Sequence, residues 1–276
     1  MTIKNNLKRI GMLSATMAFL LSFLSLGLAN AQSTTPSTTG SGTASTGTLT
    51  QQQKQQHLTN IINKGNTEIT RRLDSLNSLL TRIGSAKNLS SSDLSYLQNE
   101  VNTEISGLSA LKTTLDNCTT VTPLANAITV CAGPAAQSII NDYRVYALVL
   151  PKVRLVVMAD DQIVIETNLS SLAQKLQSRI TNDQTAGKAV TSLQSELNTM
   201  TADISAAQAI SSNIESTVLP FQPSDYNTDH SLLVGYASQL QTARTDLQTA
   251  ATTAKTIITG LQAIATTSTS STQPND

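Results

Sequence analysis

The sequence contains no tryptophan, and only 3% of its residues are aromatic. Proteins that hold nucleic-acid bases or sugars by stacking depend on aromatic side chains. Charge is also scarce, because Lys, Arg, Asp and Glu together make up 13% of the chain and their formal charges cancel. Without the basic surface that phosphate backbones require, we expect no nucleic-acid partner.

Residue patterns that carry catalysis are absent from the sequence. The two histidines, His57 and His230, have no Ser or Cys nucleophile and acidic partner in a familiar arrangement. There is no G-x-S-x-G, phosphate-loop or H-E-x-x-H motif. We therefore predict a protein that is not an enzyme and needs no cofactor. Because a triad can be scattered along a chain, an enzyme with a scattered site stays the third hypothesis.

Cysteine occurs only at Cys118 and Cys131. In an exported chain, a disulfide closing this short loop would stabilise the fold by roughly 3 kcal/mol. The alternatives are a free thiol pair and two ligands of a metal site. A zinc site needs further ligands, and both histidines are far away in the sequence. The pattern favours a Cys118–Cys131 disulfide.

A long apolar run near the N-terminus, Ile10 to Leu28, has the features of a secretion signal. It follows three basic residues within the first nine positions and precedes the small-x-small triplet Ala29-Asn30-Ala31. We predict that residues 1–31 are a signal peptide and that the mature chain is secreted or held at the cell surface. An uncleaved membrane anchor is the alternative, and it is the one case in which we expect membrane association.

The mature chain divides by composition into three parts. Residues 32–50 are mainly Ser, Thr, Gly and Pro, which is typical of a disordered linker. Over residues 51–265, apolar residues recur at steps of three and four, the period of one stripe along a helix. The series from Leu233 to Ile264 is the clearest example. Residues 266–276 are polar and are predicted to be a disordered tail.

The stripes predict an all-α fold, an elongated antiparallel helical bundle of about five long helices. The predicted helices cover residues 50–83, 90–115, 151–180, 190–214 and 233–264, and Ser90 followed by Asp93 marks the start of the second. The region near residues 143–165 is ambiguous. Tyr143–Leu150 fits a short strand or a buried helical segment equally, and a hairpin turning at Asp160-Asp161 is a further alternative. Because the connections are short, we favour a monomer over a homo-oligomer.

Oxygen-bearing side chains alternate at Asp225, Asn227 and Asp229, just before the last predicted helix. The first half of a calcium loop supplies ligands at this spacing. The rest of the loop pattern fails, since His230 stands where Gly is needed and Tyr236 where Glu is needed. We interpret the segment first as a turn that caps the last helix, with Asp229 or Ser231 as the capping residue, and second as a metal site.

Asp160 and Asp161 are a second acidic feature of the sequence. On a helix, adjacent side chains point about 100° apart, so these two cannot form a paired acid and base with one another. We interpret them as salt-bridge or capping residues, with partners such as Arg154 or Arg179.

Three segments carry a resemblance to known proteins: Glu68–Leu73, Tyr143–Pro151 and Pro223–His230. They resemble a group of exported helical proteins of candidate-phyla bacteria, and the resemblance implies export, a bacterial source and a helical fold but no activity. The leading hypothesis is a non-enzymatic structural or interaction module at the cell surface or outside the cell, with an unknown protein or cell-envelope partner. The alternative is a calcium or small-ligand binding module that uses the alternating Asp and Asn residues before the last helix.

Overall fold

A computed structural model describes residues 50–270 of the chain, with side chains described to residue 266. The predicted signal peptide, the predicted linker up to residue 49 and residues 271–276 lie outside this range. In chain order the α-helices are α1 (Gln51–Ser85), α2 (Ser91–Asn117), α3 (Leu124–Asn126), α4 (Gly133–Asn141), α5 (Leu150–Thr185), α6 (Thr191–Val218), α7 (Pro223–Thr228) and α8 (Tyr236–Ser270). Since residues 50–270 contain no β-strand, the prediction of an all-α helical bundle is confirmed.

Capping residues mark the beginning of the first two helices. Thr50 Oγ1 accepts a hydrogen bond from the backbone N–H of Gln53 (3.3 Å), and Gln53 Oε1 accepts one from the N–H of Thr50 (2.8 Å). Both bonds satisfy donors that the first turn of a helix leaves unpaired. At α2, Ser90 Oγ accepts from the N–H of Asp93 at 3.1 Å. The predicted start of the second helix is therefore confirmed.

Helices α1 and α2 form an antiparallel hairpin, in which Asn66 of α1 donates to Asp116 near the end of α2 (2.6 Å). The two helices approach closely at Gly65, where an added Cβ would collide with Leu115. Aliphatic side chains of both helices fill the space between them: Leu58, Ile62, Ile69, Leu76, Leu79, Ile83, Leu97, Val101, Leu108 and Leu115. Helix α4 packs against both helices through Ile139, which is buried.

Helices α5, α6 and α8 form a three-helix bundle. Helices α5 and α6 are antiparallel, because Gln177 donates to Gln194 near their connection (2.8 Å) while Ser211 donates to Glu166 further along (2.8 Å). The stripe of the last helix faces the interior of this bundle, and its buried members are Leu240, Ala243, Leu247, Ala250, Ala254, Ile257 and Leu261. Helices of the same chain therefore cover this stripe.

The connection between α2 and α4 is irregular and is held by a disulfide. Cys118 begins a 3₁₀ turn (Cys118–Thr120), and Cys131 lies in a π-helical turn (Ala127–Ala132). The two residues are bonded, with their Cα atoms 5.6 Å apart, and Cys118 is completely buried. The predicted Cys118–Cys131 disulfide is confirmed.

The region near residues 143–165 contains neither the strand nor the hairpin that were left open. Val145–Val149 is a π-helical turn that continues directly into α5, where Pro151 lies in the first turn and Asp160 and Asp161 lie on the helix. Of these residues, Val145, Leu148, Val149, Val153, Val156 and Ala159 are buried. A helix that is covered on several sides has apolar residues all round and not in a single stripe. Its sequence pattern therefore resembles that of a buried strand.

The last helix begins later than predicted, at Tyr236 rather than Leu233. Gly235 has a φ of 91°, a left-handed conformation that favours glycine and separates the preceding turn from α8. None of the helices in the described part of the chain is long and apolar enough to cross a membrane.

Reduction of the Cys118–Cys131 disulfide should lower the free energy of unfolding by roughly 3 kcal/mol, because it releases a short loop in the unfolded chain. Urea unfolding followed by circular dichroism, with and without dithiothreitol, measures the difference. The double variant C118S/C131S is the control, since it should unfold like the reduced protein and show no response to the reductant. A wild-type midpoint that reduction leaves unchanged would contradict the prediction.

Candidate functional site

Three carboxylates from three helices converge where α2 begins. They belong to Asp93 of α2, Asp160 of α5 and Glu215 of α6, and one oxygen of each lies within 4.8 Å of the others. Asp93 is 6% exposed and Asp160 is 5% exposed, while Glu215 is half-buried. We call these three residues the carboxylate cluster.

Local structure places each member of the carboxylate cluster. Asp93 is three residues beyond the N-cap of α2, and its Oδ2 accepts a hydrogen bond from the hydroxyl of Ser90 (2.6 Å). Asp160 follows the buried residue Ala159 on α5, and Glu215 follows the buried residue Ile214 on α6. Because α5 and α6 are antiparallel, these two positions meet side by side. The cluster therefore joins the turn end of the α1–α2 hairpin to the three-helix bundle.

The environment of the cluster disfavours its negative charges. Burial, together with the charges of Asp93, Glu215 and Asp161, raises the pKa of Asp160 to about 7. Burial and a hydrogen bond with Asp93 likewise raise the pKa of Glu215. The Oδ2 atom of Asp160 is buried and accepts no hydrogen bond. The ion pairs found among residues 50–266 do not include any member of the cluster.

The partners that the sequence suggested for Asp160 and Asp161 are wrong. Arg179 pairs with Asp183 (2.9 Å), one turn further along α5, and Arg154 is exposed. Asp161 instead accepts a hydrogen bond from the Asn88 side chain (2.6 Å). The two aspartates face different surroundings, as expected for adjacent residues of a helix.

A second set of charged residues lies in the interior around Lys152. The Lys152 side chain is fully buried in the first turn of α5. Its ammonium group donates to the carboxylate of Glu100 and to the backbone carbonyl of Phe221 (2.7 Å). Glu104 lies one turn beyond Glu100 on α2, and burial together with the charge of Glu100 raises its pKa to about 7. One lysine therefore faces two glutamates within the core.

A third polar group lies inside the three-helix bundle. Ser211 of α6 donates to Glu166 (2.8 Å) and is within 3.1 Å of Gln162 Oε1, both on α5. The Gln162 amide in turn donates to the backbone carbonyl of Leu240 on α8 (2.9 Å). These bonds link all three helices.

The alternating residues before the last helix are exposed, and each has a hydrogen-bond partner. Asp225 accepts from the N–H of Gln222 (2.8 Å) at the start of α7, and Asn227 Oδ1 accepts from Arg144 (2.6 Å). Asp229 accepts from the N–H of Ser231 (2.8 Å). The interpretation of the segment as a turn that caps the last helix is wrong: Asp225 and Asn227 lie on the short helix α7, and Asp229 ends α7, seven residues before α8 begins. A metal site at Asp225, Asn227 and Asp229 stays a prediction.

Of the buried charged residues described above, two were marked by a local sequence pattern and the others were not. Asp93 forms the capping pair with Ser90, and Asp160 interrupts an apolar stretch. Glu215, Lys152 and Glu100 look like ordinary surface residues of their helices, because their burial depends on neighbouring helices. Comparison with known proteins returned nothing further: no family model, curated protein or solved structure matches this chain.

Replacement of Lys152 by methionine should lower the free energy of unfolding by about 3–5 kcal/mol, because it leaves Glu100 buried without a counter-charge. Urea unfolding of K152M against the wild type measures the loss. The double variant K152M/E100Q is the matched control and should recover part of the stability, since it removes the orphaned charge. A K152M variant as stable as the wild type would contradict the buried ion pair.

The raised pKa values make the fold more stable in mildly acidic solution. The pKa of Asp160 rises from 3.8, and that of Glu104 from 4.5, to about 7 in the folded state. The folded protein therefore takes up protons as the pH falls through about 7, whereas the unfolded chain does so only near pH 4. With a chelator present, we expect the melting temperature to rise by roughly 5 °C between about pH 8 and about pH 5.

Circular dichroism melts of the wild type, D160N and E104Q across this range measure the effect. Each variant should show a smaller rise than the wild type, because it removes one group that titrates. A melting temperature that falls steadily as the solution is acidified from about pH 8 to about pH 5 would contradict this assignment.

Proposed function

We propose that the protein is a non-enzymatic, exported helical bundle that serves as a structural or interaction module at the cell surface or outside the cell. The observation that carries the proposal is the disulfide between Cys118 and Cys131, at the junction of the α1–α2 hairpin and α4. Structural disulfides persist in oxidising compartments and are rare in the cytosol. The signal-peptide pattern of residues 1–31 supports export independently.

The use of polar groups in the interior supports a structural role. Lys152 ties α5 to α2 and to the backbone at Phe221, and Gln162 ties α5 to α8. These bonds hold helices of the fold to one another, and their groups are turned away from solvent. A substrate would need ionisable groups that it can reach.

The surface suits a module that meets a protein or cell-envelope partner. Many exposed Thr and Ser hydroxyls donate to the carbonyl oxygen four residues earlier on the same helix, as in Thr59, Thr67 and Thr81 of α1. The resulting surface is polar but weakly charged. Such a surface favours contacts by shape and neutral hydrogen bonds over attraction to phosphate-rich polymers. The resemblance to exported helical proteins of candidate-phyla bacteria agrees with this role.

The alternative function is the binding of a metal ion or small ligand. The sequence suggests Asp225, Asn227 and Asp229 for it, and the carboxylate cluster offers a second, more deeply buried set of oxygen atoms.

Fractionation of the native cell tests export. The chain should occur in the extracellular or cell-surface fraction, with Gln32 as its first residue and with no thiol that reacts with an alkylating reagent before reduction. Cross-linking in the intact cell then identifies the partner. The variant A29R/A31R is the control, because it blocks the cleavage site and should retain the N-terminal segment. An uncleaved chain in the cytosol with two free thiols would contradict the proposal.

A further inference from the structure

Unlike the buried ion pairs at Lys152 and at Asp183, the carboxylate cluster has no internal counter-charge. Lys152 balances Glu100, and both Arg179 and Lys188 balance Asp183 at 2.9 Å. Asp93, Asp160 and Glu215 bring three acidic groups together, and they take part in no ion pair among residues 50–266. Like charges this close in a buried setting destabilise a fold unless a cation or a proton joins them.

A second observation points to a ligand. Asp160 is 5% exposed, and its Oδ2 is buried without a hydrogen-bond donor. An unsatisfied buried acceptor costs the full desolvation of that atom, and native proteins rarely leave one in place without a reason. The carboxylate of Asp160 lies among those of Asp93 and Glu215, so the missing partner would sit between the three residues.

We propose that the carboxylate cluster of Asp93, Asp160 and Glu215 binds a hard divalent cation, with Ca²⁺ as the preferred ion. The proposal goes beyond the structural role above and does not depend on export. Oxygen atoms within 4.8 Å of one another match the separation of ligands around one ion, since Ca²⁺–O distances are about 2.3–2.6 Å. The cation would supply the positive charge that the cluster lacks and accept the unpaired Asp160 oxygen as a ligand.

The ligand types and the exposure of the cluster select the ion. All three residues offer oxygen, which disfavours zinc and copper because those ions prefer nitrogen or sulfur. Three carboxylates from three helices form an irregular set, which the flexible coordination of Ca²⁺ tolerates better than the strict octahedron of Mg²⁺. Glu215 is half-buried, so water can enter from its side to complete the coordination shell.

The position of the site gives the bound ion a structural effect. Asp93 belongs to the hairpin, whereas Asp160 and Glu215 belong to the three-helix bundle. An ion held by all three therefore fastens the two parts of the fold together. Calcium affinity depends on the number of charged ligands and on the rigidity of the site, and for three carboxylates on separate helices we expect a Kd on the order of 0.1–1 mM.

Calorimetric titration of the mature chain, residues 32–276, with CaCl₂, MgCl₂ and MnCl₂ tests the site. We expect one Ca²⁺ per chain and weaker binding of Mg²⁺. In circular dichroism melts, saturating Ca²⁺ should raise the melting temperature by roughly 3–10 °C above the value in a chelator. No heat and no change in melting temperature with any of the three ions would overturn the proposal.

The variant D160N is the decisive test. It should lose Ca²⁺ binding at least tenfold, yet in chelator it should melt at or above the temperature of the wild type, because it relieves repulsion within the cluster. This second result separates loss of the ion from loss of the fold. D74N removes an exposed carboxylate of α1 and should bind Ca²⁺ like the wild type.

Two other outcomes would assign the ligand elsewhere and overturn the proposal. If D225N/D229N abolishes Ca²⁺ binding while D160N retains it, the ion binds at the turn before α8. If the wild type is stabilised by acidification but not by any of the ions, the partner of the cluster is a proton.

Discussion

Helix α5 is enclosed by its neighbours over much of its length. Its polar side chains are therefore buried, and the rest of the fold must provide their hydrogen-bond and ion-pair partners. Helix α5 packs against α6 and α8 along the three-helix bundle, and its first turns also meet the α1–α2 hairpin. Its buried polar side chains are Lys152, Asp160, Gln162, Glu166 and Asp183. Polar groups withdrawn from water require partners. At Asp183 they are Arg179 of α5 itself and Lys188 of the next connection, whereas nearer the start of α5 the partners must come from neighbouring helices.

The partners of these polar side chains differ along α5. The difference distinguishes positions that hold helices together from the position at which we propose a ligand. At Lys152 a glutamate and a backbone carbonyl provide acceptors, and at Gln162 the partners are a serine, which also donates to Glu166, and a backbone carbonyl. At Asp160 the neighbours are two further carboxylates. The first two arrangements hold particular helices together through an ion pair or hydrogen bonds, although Glu100 Oε2 and Glu166 Oε2 are buried without a hydrogen-bond partner. The third brings three carboxylates together with no ion pair, and for this reason it is the position at which we propose a ligand.

Much of the helical fold was predictable because the signals are local. An apolar stripe of period near 3.5 identifies a helix wherever one face is buried, as in the series from Leu240 to Leu261. The start at Ser90 was predictable from its own turn, and the Cys118–Cys131 bond from the short separation of the two cysteines and the predicted export. The prediction left residues 143–165 open between helix and strand or hairpin, because a helix covered on several sides no longer shows one stripe, and the structure selects the helix.

The amino-acid sequence by itself determined most of the helical segments, where several of them begin, and which cysteines pair, because these properties depend on residues near one another in the chain. Only the tertiary structure decided which polar residues are buried together. Asp93, Asp160 and Glu215 are separated by more than fifty residues at each step and meet because α5 and α6 run antiparallel beside the start of α2. Their shared burial arises from helix packing, and no local pattern in the sequence records it.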